Sequence, residues 1–269
     1  MSTLTAEYPK KWSRFTPLQL QLRFFLLLIT VATIVYSAKN VEVIPEFLLD
    51  APEQVQDLLV RMWPINFAYY PKGIHDALVD TFHIATLGTI FAVIIAFPIG
   101  VCASYRLVPF RAINALAQFI LVASRSINSI IWALLFVAIF GPGALAGTFA
   151  IAFRSIGFIG KLLGESIDSA NQNTIEALKA CGAPWWSIFT KGYWPQIEPS
   201  FWSLSLFRWD INIRESSVLG LVGAGGIGMA LDSAMNLFQW TRVSLILLCI
   251  FAMVIVAEVI VTQIRKRII

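Results

Sequence analysis

The chain has 269 residues, of which 58% are hydrophobic and 13% charged, where a soluble domain carries about a quarter charged. With a mean hydropathy of +0.74, its apolar runs are too long and too numerous for the core helices of a water-soluble fold, so its main solvent is lipid. The net charge of +4 comes from basic residues placed mostly at the ends of apolar runs, which points to membrane topology and not to a nucleic-acid surface. Cys102, Cys181 and Cys249 are scattered without CxxC spacing, and His75 and His83 stand eight residues apart with no cysteine near them. No metal, disulfide or acid–base constellation is therefore expected.

The first apolar run covers 22–38, after a polar segment carrying Lys10, Lys11 and Arg14. No small-residue cleavage site follows it, which predicts a retained anchor helix and not a signal peptide. Residues 39–80 are mixed and contain Pro45, Pro52, Pro64 and Pro71. Within them, 44–63 places Phe47, Leu48, Leu58, Leu59 and Met62 at helical spacing beside Trp63, Tyr69 and Tyr70. That predicts an amphipathic helix lying on the membrane surface. Further spans are expected at 81–104, which includes Pro98, and at 113–140, interrupted by Arg125-Ser126-Ile127-Asn128. After a Gly141-Pro142-Gly143 turn comes a span at 144–160, then the least apolar stretch of the body, 161–195. The last two spans are expected at 201–221 and 241–264, separated by a glycine-rich segment at 220–228 and followed by Arg265, Lys266 and Arg267.

The expected fold is all-α, a polytopic membrane protein of about six transmembrane helices. Residues 1–75 would form an N-terminal cytoplasmic segment, the anchor helix and a periplasmic amphipathic segment, and 76–269 the transmembrane core. Six spans put both termini on one side. If that side is the cytoplasm, it also holds Arg106, Arg111, Lys161, Lys179 and Lys191 with the basic residues of both ends. The other side holds only Lys39, Arg61, Lys72 and Arg242. The positive-inside rule then predicts cytoplasmic termini and a cytoplasmic 161–195 loop.

That loop contains Glu176-Ala177-Leu178, Gly182 six positions after the glutamate, and Pro195 thirteen after the glycine. A short helix would close at Gly182, where glycine accepts positive φ, and a second would begin near Ala183-Pro184, where proline suits a first turn. The spacing resembles the EAA loop of ABC importer permeases, in which EAA, three residues and Gly are followed by nine residues, then Ile, any residue, Leu and Pro. Leu178, Gly192 and Trp194 depart from that pattern, standing for its second alanine, its isoleucine and its leucine. The resemblance implies that Glu176, Ala177, Gly182, Ala183 and Pro195 belong to a surface that couples the permease to an ATPase.

The run Phe207-Arg208-Trp209-Asp210-Ile211-Asn212-Ile213-Arg214 is followed by Ser216-Ser217 and by Val222-Gly223-Ala224-Gly225-Gly226-Ile227-Gly228. Together they resemble the corresponding stretch of phosphonate importer permeases, as do 125–128 and 154–163; the first 75 residues match only in layout. Gly223, Gly225 and Gly228 also satisfy GxGxxG, but a dinucleotide site needs a preceding strand and an acidic residue about 20 positions on. An apolar span precedes these glycines, and 245–255 carry no acid. A turn near the substrate route, with Gly223, Gly225, Gly226 and Gly228 as a gate, fits better, because irregular backbone at membrane depth needs cover from protein or a cavity.

Charges inside the membrane cost about 2.5–3.5 kcal/mol each at mid-helix on insertion scales, so they should face the bundle interior or water. Asp210 and Arg214 are one turn apart and can pair, while Arg208, Asn212 and Glu215 form a second stripe. These charges can be a packing network alone, or a route for an anion with arginines as bidentate donors. On the second reading the substrate path comprises Arg125, Ser126, Asn128, Arg154, Arg208, Asp210, Asn212, Arg214, Glu215 and Ser216. The resemblance implies a methionine-permease-like core and import of phosphonate or a related oxyanion such as phosphite or hypophosphite. It implies a homodimer in the lipid bilayer of a bacterial inner membrane, two cytoplasmic ATP-binding subunits and a periplasmic binding protein. No cofactor, metal or catalytic residue is expected in this chain, since ATP and magnesium belong to the partner, and no nucleic acid is expected. An amino-acid importer of methionine type is the nearest rival. A secondary transporter would need internal repeats, and a membrane enzyme a catalytic constellation; neither is visible.

Overall fold

The computed structural model describes residues 15–41 and 45–268, and among them it contains helices and turns but no strand. The chain divides into two compact units, Met1–Asp57 and Leu58–Ile269. In the first, helix α1 (Pro17–Asn40) opens with a capping box, in which the Thr16 side chain accepts from the Gln19 amide and Gln19 returns the bond. None of its side chains is buried by protein, and its 24 apolar-rich residues are long enough to cross a bilayer. Helix α2 (Pro45–Met62) runs across the division between the units and carries Pro52 inside it.

The second unit holds α3 (Ile74–Ala103), α4 (Arg111–Ser126), α5 (Ser129–Phe140), α6 (Ala144–Asp168), α7 (Gln172–Ala180), α8 (Trp185–Ile188), α9 (Trp194–Leu219), α10 (Ile227–Asn236) and α11 (Trp240–Ile268). Four helices, α1, α3, α6 and α11, are long and apolar enough to cross a membrane unaided. The number rises to six if each of two bent pairs is one span. The expected all-helical, roughly six-span fold is therefore present.

Several boundaries differ from expectation, and α3 begins at Ile74 and not at 81. The span at 113–140 is two helices, α4 and α5, bent by 91°. Asn128 caps the second of them by accepting from the Ile130 amide, so the polar interruption starts a new helix. The helix expected to end at 160 continues to Asp168, with Leu163 and Ile167 still buried in the core beside a Lys161–Glu165 pair one turn apart. The fifth span begins at Trp194 and not at 201. It tolerates Pro195 because a first-turn proline lacks only an amide that would be unpaired anyway.

Helices α3 and α6 lie along one another through small residues, among them Ala92, Ala96 and Gly100 on α3 and Gly160 and Gly164 on α6. Lipid tails are as apolar as leucine, so close backbone approach is what favours helix association here. Two apolar layers result. One gathers Ala92, Ala96, Leu121, Ile159, Leu163, Ile175 and Ile197. The other gathers Ile84, Phe136, Ala150, Ile151 and Leu219. Between them, near the middle of α3, α6 and α9, lies the polar layer described next.

Candidate substrate path and coupling hairpin

The centre of the polar layer is Glu215 on α9. Arg154 of α6 and Arg208, two turns back along α9, both pair with its carboxylate, Arg208 through Nη2 at 3.3 Å. Two positive charges thus share one negative charge, with Arg208 buried and Arg154 partly exposed. Arg208 is only 4% exposed, and its Nε donates to Ser155 Oγ at 2.9 Å. Ser155 donates to Asn212 Oδ1 at 3.1 Å, and Asn212 Nδ2 donates to Thr89 Oγ1 on α3 at 2.8 Å. Buried polar groups in a membrane require such partners. Hydroxyls from two neighbouring helices satisfy α9's charged stripe.

Asp210 and Arg214 pair with each other one turn apart on α9, as their spacing predicts. The pair is asymmetric: Asp210 is buried, Arg214 is half exposed, and Asp210 Oδ1 has no hydrogen-bond partner. Arg125, Ser126 and Asn128 are exposed where α4 meets α5. The Ser126 hydroxyl is taken by the Val122 carbonyl at 2.6 Å, and Asn128 is engaged as a helix cap. The structure therefore brings Arg154, Arg208, Asn212 and Glu215 into one network, leaves Asp210 and Arg214 as a separate pair, and gives Ser126 and Asn128 local backbone partners. Ser155 and Thr89, which complete the network, are single hydroxyls in apolar helices and carry no periodic signal of their own.

Ser216 donates to the Thr81 carbonyl at 3.1 Å, which ties α9 to the start of α3. The glycine-rich segment beyond it begins with a short 3-10 turn, Gly220–Val222. It then passes through positive φ at Gly223, Gly225 and Gly226. No strand precedes these glycines among the described residues, so the dinucleotide geometry is absent. The turn is instead held by protein: the Gly143 amide donates to the Gly223 carbonyl at 2.9 Å, and the Ile227 amide to Thr81 Oγ1 at 2.7 Å. Gly226 has φ +75, and a Cβ there would sit 2.6 Å from Thr81 Oγ1. Only glycine fits on both counts.

At the other end of the bundle, α7 closes as the motif predicts. Gly182 adopts φ +72, its amide donates to Lys179 O at 3.0 Å, and the Ala183 amide reaches back to Leu178 O at 3.1 Å. That is a Schellman closure with glycine at the left-handed position. Pro184 stands just before α8 as its cap and not in its first turn. A single π turn, Phe189–Tyr193, joins α8 to α9. Ile175, Ile188 and Phe189 face the bundle, while Glu176, Ala177, Gly182, Pro184, Trp185 and Trp186 are exposed on the outer face. The hairpin is anchored on its inner side. The Asn171 amide donates to Gln196 Oε1 at 2.8 Å, and Gln196 Nε2 donates to Gly192 O at 2.7 Å. Nearby, Ser104 Oγ donates to Asp168 Oδ1 at 2.6 Å, joining the α3–α4 turn to the end of α6. Burial pushes the Tyr193 phenol above its ordinary value, against the opposing pull of Arg106 and Gln172, so it stays neutral at physiological pH.

A helical bundle with a charged layer across α6 and α9 and an exposed hairpin at one end fits a membrane transport permease. The chain belongs to the binding-protein-dependent transport system inner membrane component family, which it matches over residues 75–269. It is a multi-pass membrane component of a transport system. It is similar to the phosphite transport system permease protein of Stutzerimonas stutzeri, with 33% identity over 220 residues, 82% of this chain and 80% of that one. It is also similar to the phosphate-import permease protein of Mycolicibacterium smegmatis, with 34% identity over 87% of this chain and 44% of that one. Among solved structures, an inward-facing methionine ABC transporter matches with a TM-score of 0.62 at 20% identity, covering 73% of this chain and 96% of that chain. This last likeness is one of fold, and it bears out the expected methionine-permease-like core.

Proposed function

We propose that this chain is the membrane-spanning subunit of an ATP-driven importer for phosphonate or a related small phosphorus oxyanion such as phosphite or hypophosphite. The observation that carries the reading is the layer in which Arg154 and Arg208 share Glu215. Two guanidiniums on one carboxylate leave a net positive charge at mid-span, which suits an anion in transit. Because both arginines are already paired, an arriving oxyanion competes with Glu215, and binding stays weak enough for release. The similarity to permeases named for phosphite and phosphate supports the same class over the methionine-type rival.

Arg125, Arg154, Arg208, Asp210, Asn212, Arg214, Glu215 and Ser216 would line the path, with Ser126 and Asn128 at the α4–α5 break and Gly223–Gly228 as its gate. Two copies of the chain would form the pore, both termini in the cytoplasm. Two ATP-binding subunits would seat on the 161–195 segment through Glu176, Ala177, Gly182, Ala183 and Pro195. They would supply ATP and magnesium, while a periplasmic binding protein delivers the substrate.

Whole-cell uptake tests the substrate. Cells lacking other phosphite uptake, supplied with this chain and its partners, are expected to accumulate labelled phosphite. Excess methylphosphonate should suppress that accumulation, and excess methionine should leave it unchanged. Suppression by methionine alone would move the chain to the amino-acid branch.

A further inference from the structure

A second cationic site lies away from the central layer, at the elbow between α10 and α11. A cavity of about 240 Å³ is lined there by Tyr69, Met229, Ser233, Leu237, Gln239 and Arg242 among others. The Arg242 guanidinium lies over the Tyr69 ring, 4.1 Å from its centroid, and one Nη donates to Gln239 Oε1. Among the described residues no carboxylate pairs with it, whereas Arg154, Arg208 and Arg214 each have one. The cavity lining includes no acidic side chain. The site is also beside the first turn of α11, a helix of 29 residues, whose macrodipole adds positive potential at that end.

We propose that this elbow is an outer binding site for a small tetrahedral oxyanion. Tyr69 and Gln239 hold the guanidinium fork in one orientation, and among the described residues most of its N–H groups and the Gln239 side-chain Nε2 make no hydrogen bond. A fixed fork is pre-organised for two oxygens of a phosphorus oxyanion, and a cavity of about 240 Å³ admits such an ion together with water. The elbow follows the gate turn directly, since Met229 and Ala230 of α10 line the cavity three and four residues after Gly226. The role rests on the proposed function and orientation. Arg242 takes the oxyanion on the outer side, before the gate, and Arg154 with Arg208 takes it beyond the gate. Arg242 has no competing carboxylate, so it captures; the central pair, already neutralised in part, passes the ion on.

The test is phosphorus NMR line broadening of phosphite on the full-length chain in lipid nanodiscs, with wild type, Arg242→Gln, Arg242→Lys and Gln239→Leu. Wild type is expected to broaden the signal saturably. Arg242→Gln should weaken binding about ten-fold, the scale of losing one charge-assisted contact. Arg242→Lys should restore part of it, and Gln239→Leu should weaken it less. Equal broadening by wild type and Arg242→Gln, or none by wild type, overturns the site. Because the readout needs no transport, its failure is separable from that of the proposed function. A chain that binds phosphite through Arg242 while its complex imports none contradicts the importer reading alone.

Discussion

Replacing Glu215 by glutamine would leave Arg154 and Arg208 facing each other with no anion between them. Breaking a buried pair from one side typically costs about 3–5 kcal/mol, so Glu215→Gln should lower the thermal midpoint in detergent markedly. Arg154→Gln should cost less, because Glu215 keeps Arg208 at 3.3 Å. A larger loss for Arg154→Gln would mean that Arg154, and not Glu215, holds the layer together. The Asp210–Arg214 pair needs a different design. From sequence alone, Arg214→Ala should impair transport and spare assembly, but Asp210 is buried and already has one oxygen without a partner. The single variant should therefore destabilise the chain, and Arg214→Ala with Asp210→Asn should recover assembly while transport stays low. Normal uptake by that double variant would remove Arg214 from the route. The i,i+4 pairing was legible in the sequence because both partners lie on one helix. Ser155 and Thr89 were not, because their roles exist only once α6 and α3 pack against α9.

The elements divide in the same way. Apolar runs mark spans because lipid selects on composition over about 20 residues, and every expected span contains a helix. Composition says little about where a helix stops once it leaves lipid. Residues 161–168 are amphipathic and helical, with Leu163 and Ile167 buried, and the 91° break between α4 and α5 depends on backbone direction at Ile127, which the polar interruption located without its angle. The hairpin was legible because Gly182 marks a left-handed closure. Gly182→Ala should destabilise the chain by only about 1 kcal/mol, since nothing lies within 4 Å of the added Cβ. Gly226→Ala carries the same strain together with an overlap on Thr81, so its folded yield should be clearly lower; equal yields would show that the gate turn can relax.

At the scale of the whole molecule, the exposed hairpin at one end and the charged layer are joined by α9, which carries Pro195 at its start and the layer's Arg208, Asn212 and Glu215 along its second half. On the proposed mechanism, motion of the hairpin would reach the helix that carries Arg208 and Glu215. The central claim, that an external ATPase drives this helix through 161–195, is tested most directly by ATP hydrolysis in detergent-purified complexes recovered through this chain, comparing wild type with Gly182→Asp. Wild type is expected to bring down an active ATPase, and Gly182→Asp to lose it or uncouple it from transport. If wild type carries no ATPase activity in several mild detergents, the hairpin is not a coupling surface and the importer mechanism is wrong.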